Sequence, residues 1–262
     1  MNSSRDTGIE LIEARKQHCC YGMGLGIIIL DDVYPGLPGD VRNASAWPFP
    51  VQYEILEGID INALCYEGDI DKCLEPIIKA AKKLERLGCR AIAAECGYFS
   101  YFQKEVAASL NVPAFMSSLL QVPWAQQLIG PDRKVAIVTS DAHVLSDQHL
   151  TSVGISLESG FEVVDLNDHV DDMEFNKLWG GSHGQPENPS LRYSVAEKQI
   201  VKAMQDYVLK NQDVGSIILE CTGYPPFARS IQRAIDLPVY SWGTLLDYAW
   251  SVVAHRDYFG HV

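Results

Sequence analysis

The sequence offers no apolar run long enough to cross a membrane. Near the N-terminus the longest is Ile27-Ile28-Ile29-Leu30, far short of the roughly 20 residues a spanning helix needs. No basic segment or small-residue cleavage site surrounds it, so neither a secretory leader nor a membrane partner is expected, and the cytoplasm is the expected compartment. Basic charge is also scarce. The 21 Lys and Arg face 34 Asp and Glu, for a net charge of −13, which excludes a general basic surface for nucleic acid. There is no CxxC pair among the seven cysteines, which are odd in number and irregularly spaced. That argues against a disulfide framework and a zinc site and for a reducing compartment. Nor is there an HExxH or another metal spacing among the scattered histidines, so no metal is expected. The glycines of Gly22-Met23-Gly24-Leu25-Gly26 precede the first apolar strand instead of following it, so the dinucleotide fingerprint is not met and no cofactor is expected.

What is present describes a globular chain: 262 residues, 47% hydrophobic and 21% charged, with mean hydropathy near zero, enough for one large or two small domains. Short β-branched runs predict strands at 26–30, 51–56, 91–94, 114–116, 135–139, 161–166, 216–219 and 239–241. Amphipathic stretches predict helices between them. The clearest carries Leu74, Ile77, Ile78, Ala81, Leu84 and Leu87 on one face, Lys79, Lys82, Lys83 and Arg86 on the other, and stops at Gly88. Others fall near 102–110, 119–129, 142–153, 195–209, 227–235 and 245–254. Strands alternating with helices imply α/β architecture with mainly parallel sheet covered on both faces.

The chain also repeats itself. Residues 91–115 align without a gap on residues 216–240, an offset of 125 positions that superposes Glu95-Cys96 on Glu220-Cys221 and Pro113 on Pro238. In both copies an apolar strand ends in Glu-Cys, a small-residue turn leads to an amphipathic helix, and a proline opens the next strand. The reading is two pseudo-symmetric αβα halves with four-stranded sheets: residues 1–122, then 123–242, with 243–262 packing back onto the first. The second half is longer by a Gly- and Pro-rich segment at 179–191, read as a long loop, either a lid over a site or a surface insertion. In the first half, the Pro- and Gly-rich stretch 31–50 leaves the end of the first strand as a loop, at the sheet edge where ligands bind in open parallel sheets.

Cys96 and Cys221 therefore share one place, the C-terminal end of a parallel strand before a helix. A thiol there meets backbone N–H groups and a helix dipole, which favour an anion and lower its pKa. Gly97, Thr222 and Gly223 let the backbone approach a ligand, and the Thr222 hydroxyl adds a donor. Arg42 and Asn43, in the loop after the first strand, are candidate carboxylate contacts, with an exposed loop as their plainer reading. The five remaining cysteines are read as packing. Strand alternation turns Glu95 and Glu220 away from the sulfurs, toward loop anchoring or the interface between halves. Two thiols facing across a cleft suit removal of a proton from one face of a carbon and its return on the other, with the substrate's own carboxylate or carbonyl as electron sink.

The repeat, AECGYF in the first half, LECTGYPPFA in the second and PGDVRNASAWPFP after the first strand resemble the cofactor-independent aspartate/glutamate racemase superfamily. That superfamily includes hydantoin and allantoin racemases, maleate cis-trans isomerase and arylmalonate decarboxylase. The resemblance runs from Gly22 to Ala254 and implies a site between the halves, Cys96 and Cys221 as acid and base, and a small anionic substrate. Its carboxylate would be held by the backbones of Gly97-Tyr98 and Thr222-Gly223 and by the hydroxyls of Thr139 and Ser140. The expected activity is racemisation or epimerisation of an amino-acid-like or hydantoin-like compound. The alternatives are cis-trans isomerisation of an unsaturated diacid through a covalent cysteine adduct, and ligand binding without catalysis. Glutamate racemases carry a histidine where Gly223 stands, and amino-acid racemases carry Asn-Thr where Gly97-Tyr98 stands, so the substrate is expected to differ from glutamate or aspartate. Exposed apolar surface on halves of this size predicts a homo-oligomer.

Overall fold

The computed structural model describes residues 11, 13–14, 18–179 and 186–258. The first half runs β1 (Leu25–Leu30), β2 (Val51–Leu56), α1 (Ile61–Cys65), α2 (Leu74–Arg86), β3 (Ala91–Ala94), α3 (Gln103–Ser109) and β4 (Ala114–Phe115). The second runs α4 (Val122–Leu128), β5 (Lys134–Thr139), α5 (Asp147–Ser152), β6 (Phe161–Asp165), α6 (Asn176–Trp179), α7 (Tyr193–Lys210), β7 (Val214–Leu219), α8 (Pro225–Ile235), β8 (Val239–Tyr240) and α9 (Trp242–Val253). Each half holds a four-stranded, wholly parallel sheet, in the orders β2-β1-β3-β4 and β6-β5-β7-β8. The two orders are one topology written twice, as the sequence repeat requires.

The central strands are continuous apolar runs because both of their faces are covered. Leu25, Ile27 and Ile28 of β1 and Val135, Ala136, Ile137 and Val138 of β5 are fully buried, and each large side chain so buried contributes about 1.5–3 kcal/mol. The apolar stripe of α2 lies on the first sheet, with Ile77, Ala81 and Leu84 in one core with Ile28 and Ile92. The helix ends where predicted. Gly88 takes φ +96°, and a Cβ there would stand 2.3 Å from the Cys20 carbonyl oxygen, so only glycine fits the turn.

Two short helices have no counterpart in the periodicity. Helix α1 is a five-residue turn fixed by its cap, the Asp60 side chain accepting from the Ala63 N–H at 2.8 Å, and one turn is too short to show a repeat. The other is α6, four residues long. It ends at Trp179, where the segment predicted as a loop at 179–191 begins, and of that segment 180–185 lies outside the described residues. The stretch 31–50 is loop, as expected, apart from a single turn at Ala44–Ala46.

The halves meet along the C-terminal edges of their strands. Helix α9, capped by Ser241, carries Trp242, Leu245, Leu246 and Ala249 into the core of the first sheet beside Leu25, Ile27, Ala91 and Ala93. The Trp242 indole N–H donates to the Glu220 carbonyl at 2.8 Å. The Ser118 hydroxyl donates to the Leu219 carbonyl at 2.9 Å, and the Tyr98 hydroxyl to the Asp141 carbonyl at 2.9 Å. These bonds fix the end of each half's third strand against the other half.

Candidate active site

At the ends of β3 and β7 the backbone repeats itself bond for bond. The Glu95 N–H donates to the Ile28 carbonyl and the Glu220 N–H to the Val138 carbonyl, each at 2.9 Å. The following turn is closed by Phe99 N–H to the Cys96 carbonyl at 3.1 Å and by Tyr224 N–H to the Cys221 carbonyl at 3.2 Å. Both sulfurs are thereby delivered to one cavity between the halves. It is lined by Ile61, Tyr66, Cys96, Gly97, Tyr98, Ser140, Asn176, Trp179, Glu220, Cys221 and Thr222 and has a volume of about 40 Å³. That is room for a few waters, so an organic ligand enters only as the walls give way. The Trp179 ring in that wall leans on Tyr34, with centroids 4.2 Å apart.

The two glutamates part company. Glu95 is fully buried and answered on every side: its Oε2 accepts from the Arg42 guanidinium at 2.9 Å and the Leu30 N–H at 3.0 Å, and its Oε1 from the Tyr34 hydroxyl at 3.3 Å. Burial pushes its carboxyl up to about 7 against the opposing pull of Arg42. Glu220 is buried just as deeply, but only its Oε2 has a partner, the Thr139 hydroxyl at 2.9 Å. Burial pushes this carboxyl up to about 8, with Thr139 the only group working the other way. Alternation predicted both carboxyls to turn from the sulfurs. For Glu220 that fails, because β7 ends at Leu219 and the residue after it lines the cavity beside Cys221.

The thiols also differ from expectation. A depressed pKa was predicted for both, and both are raised. For Cys96 burial dominates, and a hydrogen bond with the Cys65 thiol of α1 adds to it. For Cys221 burial comes first and the Glu220 charge second, opposed by the Gly223 backbone and the Ser140 hydroxyl. Helix α8 begins at Pro225, four residues after Cys221, too far along for its dipole to outweigh desolvation. Proton removal therefore requires something in the cavity that favours a thiolate.

Of the predicted contacts, Cys96, Cys221, Gly97, Tyr98, Ser140 and Thr222 come together around the cavity. Thr139 does not line it, since its hydroxyl is committed to Glu220 and lies 3.2 Å from the Tyr98 hydroxyl. Gly223 sits behind Cys221, where a Cβ would strike Phe175 at 2.6 Å. Arg42 is spent on Glu95, on the Asp32 and Leu30 carbonyls and on the Tyr34 ring. Asn43 caps the turn at Ala44–Ala46 and donates to the Gly36 carbonyl. Neither of these two reaches the cavity. The cavity also takes Tyr66, Asn176 and Trp179, with Cys65 against Cys96, and all four lie on or beside the short helices that periodicity does not reveal. Cys65 was expected only to pack and Glu220 only to anchor a loop or the interface, although the pairing of Glu220 with Cys221 in the repeat was a visible signal. No cluster of side chains able to hold a metal occurs among the described residues, and no helix is long and apolar enough to cross a membrane.

No protein-family model matches the chain. It is 29% identical over 221 residues to a dimethylsulfoniopropionate lyase of Durusdinium sp. clade D, covering 82% of this chain and 70% of that protein. It is 27% identical over 236 residues to dimethylsulfoniopropionate lyase 3 of Emiliania huxleyi, covering 82% of this chain and 56% of that longer protein. Among solved structures, a Gly74Cys mutant of arylmalonate decarboxylase superposes with a TM-score of 0.58 at 15% identity, over 89% of this chain and 94% of that one. An aspartate racemase homologue from Pyrococcus horikoshii superposes with a TM-score of 0.53 at 18% identity, over 88% and 99%. The two-domain α/β fold is thus the one shared by arylmalonate decarboxylase and the aspartate racemase homologue.

Proposed function

We propose that the chain is an enzyme that performs carbon-acid chemistry at this cavity, and that its reaction is elimination from a β-sulfonio carboxylate such as dimethylsulfoniopropionate. The observation that carries this reading is the make-up of the cavity. Two cysteines, three aromatic rings and a carboxyl line it, and no Lys, Arg or His does among the described residues. Such a lining offers a dicarboxylate no cation for either of its charges, and suits a zwitterion whose soft positive centre can draw out the charge of Glu220. The names of the sequence relatives support the same substrate, and those of the structural neighbours support proton abstraction beside a carboxylate.

In the proposed step a cysteine thiolate takes the α-proton. The electron pair left on Cα forms the Cα–Cβ double bond, the Cβ–S bond breaks, and dimethyl sulfide leaves with that bond's electrons, giving acrylate. Cys221 is the better base, because the Ser140 hydroxyl and Gly223 N–H are placed to receive a charge on its sulfur. The substrate carboxylate, where negative charge grows as the proton leaves, would lie against the backbone N–H groups of the Gly97 and Thr222 turns. Headspace measurement of dimethyl sulfide from the purified chain tests this, with equimolar acrylate as the expected co-product. Release unaffected by Cys221→Ser would overturn it.

Racemisation is the second reading, and the symmetric delivery of both sulfurs to one cavity favours it. A carbanion with no β-leaving group can only be reprotonated, and a second thiol opposite the base would do that.

A further inference from the structure

The unanswered oxygen of Glu220 is the feature that the chemistry above leaves unused. The side chain is 1% exposed, Oε2 is held by Thr139, and Oε1 has no hydrogen-bond partner among the described residues. Gly97 makes room for it, since a Cβ at that position would stand 1.9 Å from Oε1. Glu95 is answered by Arg42 and Glu174 by Arg192 and Lys177, and Asp40 by the Tyr34 hydroxyl and the Arg42 N–H; Asp32 also keeps one oxygen without a partner, but it does not line this cavity. A buried carboxyl oxygen without a partner is costly, and in a native fold such a group calls for an explanation, of which a bound molecule that completes it is one. Around Glu220 the cavity offers the rings of Tyr66, Tyr98 and Trp179, the surfaces that attract an onium ion too bulky and too poor in donors for an ordinary salt bridge.

We propose that Glu220 is the specificity-determining residue of the site, with Oε1 facing the positive centre of an onium carboxylate and the three aromatic rings enclosing it. This rests on the lyase reading for the substrate class and adds which residue selects it. It also explains how a thiol held high by burial becomes a base. A positive centre between Glu220 and Cys221 favours the ionised form of both, so the thiolate forms when substrate arrives and not before. A neutral isostere of the same shape would leave the thiol protonated.

The test is binding, so it is read separately from turnover. Titration calorimetry would compare 3-(trimethylammonio)propanoate with 4,4-dimethylpentanoate, its uncharged carbon isostere, on wild type and Glu220→Gln. The wild type should favour the onium probe by roughly tenfold or more, equivalent to about 1.4 kcal/mol. Glu220→Gln, which keeps an acceptor for Thr139, should erase that preference by weakening the onium probe alone. Trp179→Leu should weaken the onium probe more than the isostere. Equal affinity for the two probes in the wild type, binding of neither, or an unchanged preference in Glu220→Gln would overturn the proposal. If the onium preference tracks Glu220 while no dimethyl sulfide is released, the lyase reading fails and the specificity assignment stands.

Discussion

The ends of β3 and β7 carry the same two residues in the same backbone, yet only one of them is left incomplete. At Glu95-Cys96 the carboxyl is closed off by Arg42, Tyr34 and the Leu30 N–H, and the thiol is shared with Cys65. At Glu220-Cys221 one carboxyl oxygen is bare, and the thiol faces a hydroxyl and an N–H able to stabilise its anion. The difference comes from what each half brings to the strand end. The first half's long loop delivers a guanidinium to its own glutamate. The second half's glutamate instead reaches the backbone of Gly97 across the interface. A repeat can fix where residues stand; their roles are divided by the partners that arrive from elsewhere.

Breaking the symmetry of the thiols should give the largest effect. Cys221→Ser should lower kcat/KM for dimethyl sulfide release by about 10³-fold or more, within the range for loss of a general base, while Cys96→Ser should cost distinctly less, because an elimination needs a single proton acceptor. Equal losses at both positions would point to racemisation. Breaking the charge asymmetry comes next. Arg42→Met strands a fully buried carboxyl and should cost about 3–5 kcal/mol in denaturant unfolding, whereas Glu220→Gln should be neutral or stabilising because no cation is lost. Gly97→Ala would press a methyl group into Glu220 Oε1 and should cost about 1–3 kcal/mol, the usual penalty for overpacking, with a matching loss of activity.

The smallest effect is in the pH dependence of stability. The Glu220 carboxyl is raised from 4.5 to about 8 by burial. Its contribution is therefore complete below pH 4.5 and is lost as pH rises through about 8. Glu95 and Asp40, both raised to about 7, slope the same way. The melting temperature should fall from pH 6 to pH 9, and less steeply in Glu220→Gln. An identical slope in the two proteins would place the titration elsewhere.

Much of the fold was legible because the eight strands are written as short β-branched runs and the Glu-Cys repeat survives in the chain without a gap. The same repeat located both candidate cysteines. What was not legible depended on packing across sequence distance. Arg42 reads as an available cation until Glu95, 53 residues away, is seen to hold it. Thr139 reads as a ligand contact until its hydroxyl is found on Glu220, 81 residues away. The thiol pKa values reversed sign because a strand-end motif specifies the N–H groups but not the burial that outweighs them. Tyr66 and Trp179 lie at the ends of helices of one turn or so, which leave no periodic mark.

The measurement that bears most directly on the division between the two strand ends is proton NMR in D₂O of the purified chain with dimethylsulfoniopropionate, following acrylate signals and deuterium at Cα together. Acrylate should accumulate in step with substrate loss in the wild type and fail to appear in Cys221→Ser. Substrate that gains deuterium at Cα without yielding acrylate, or that stays unchanged in the wild type, would contradict the account.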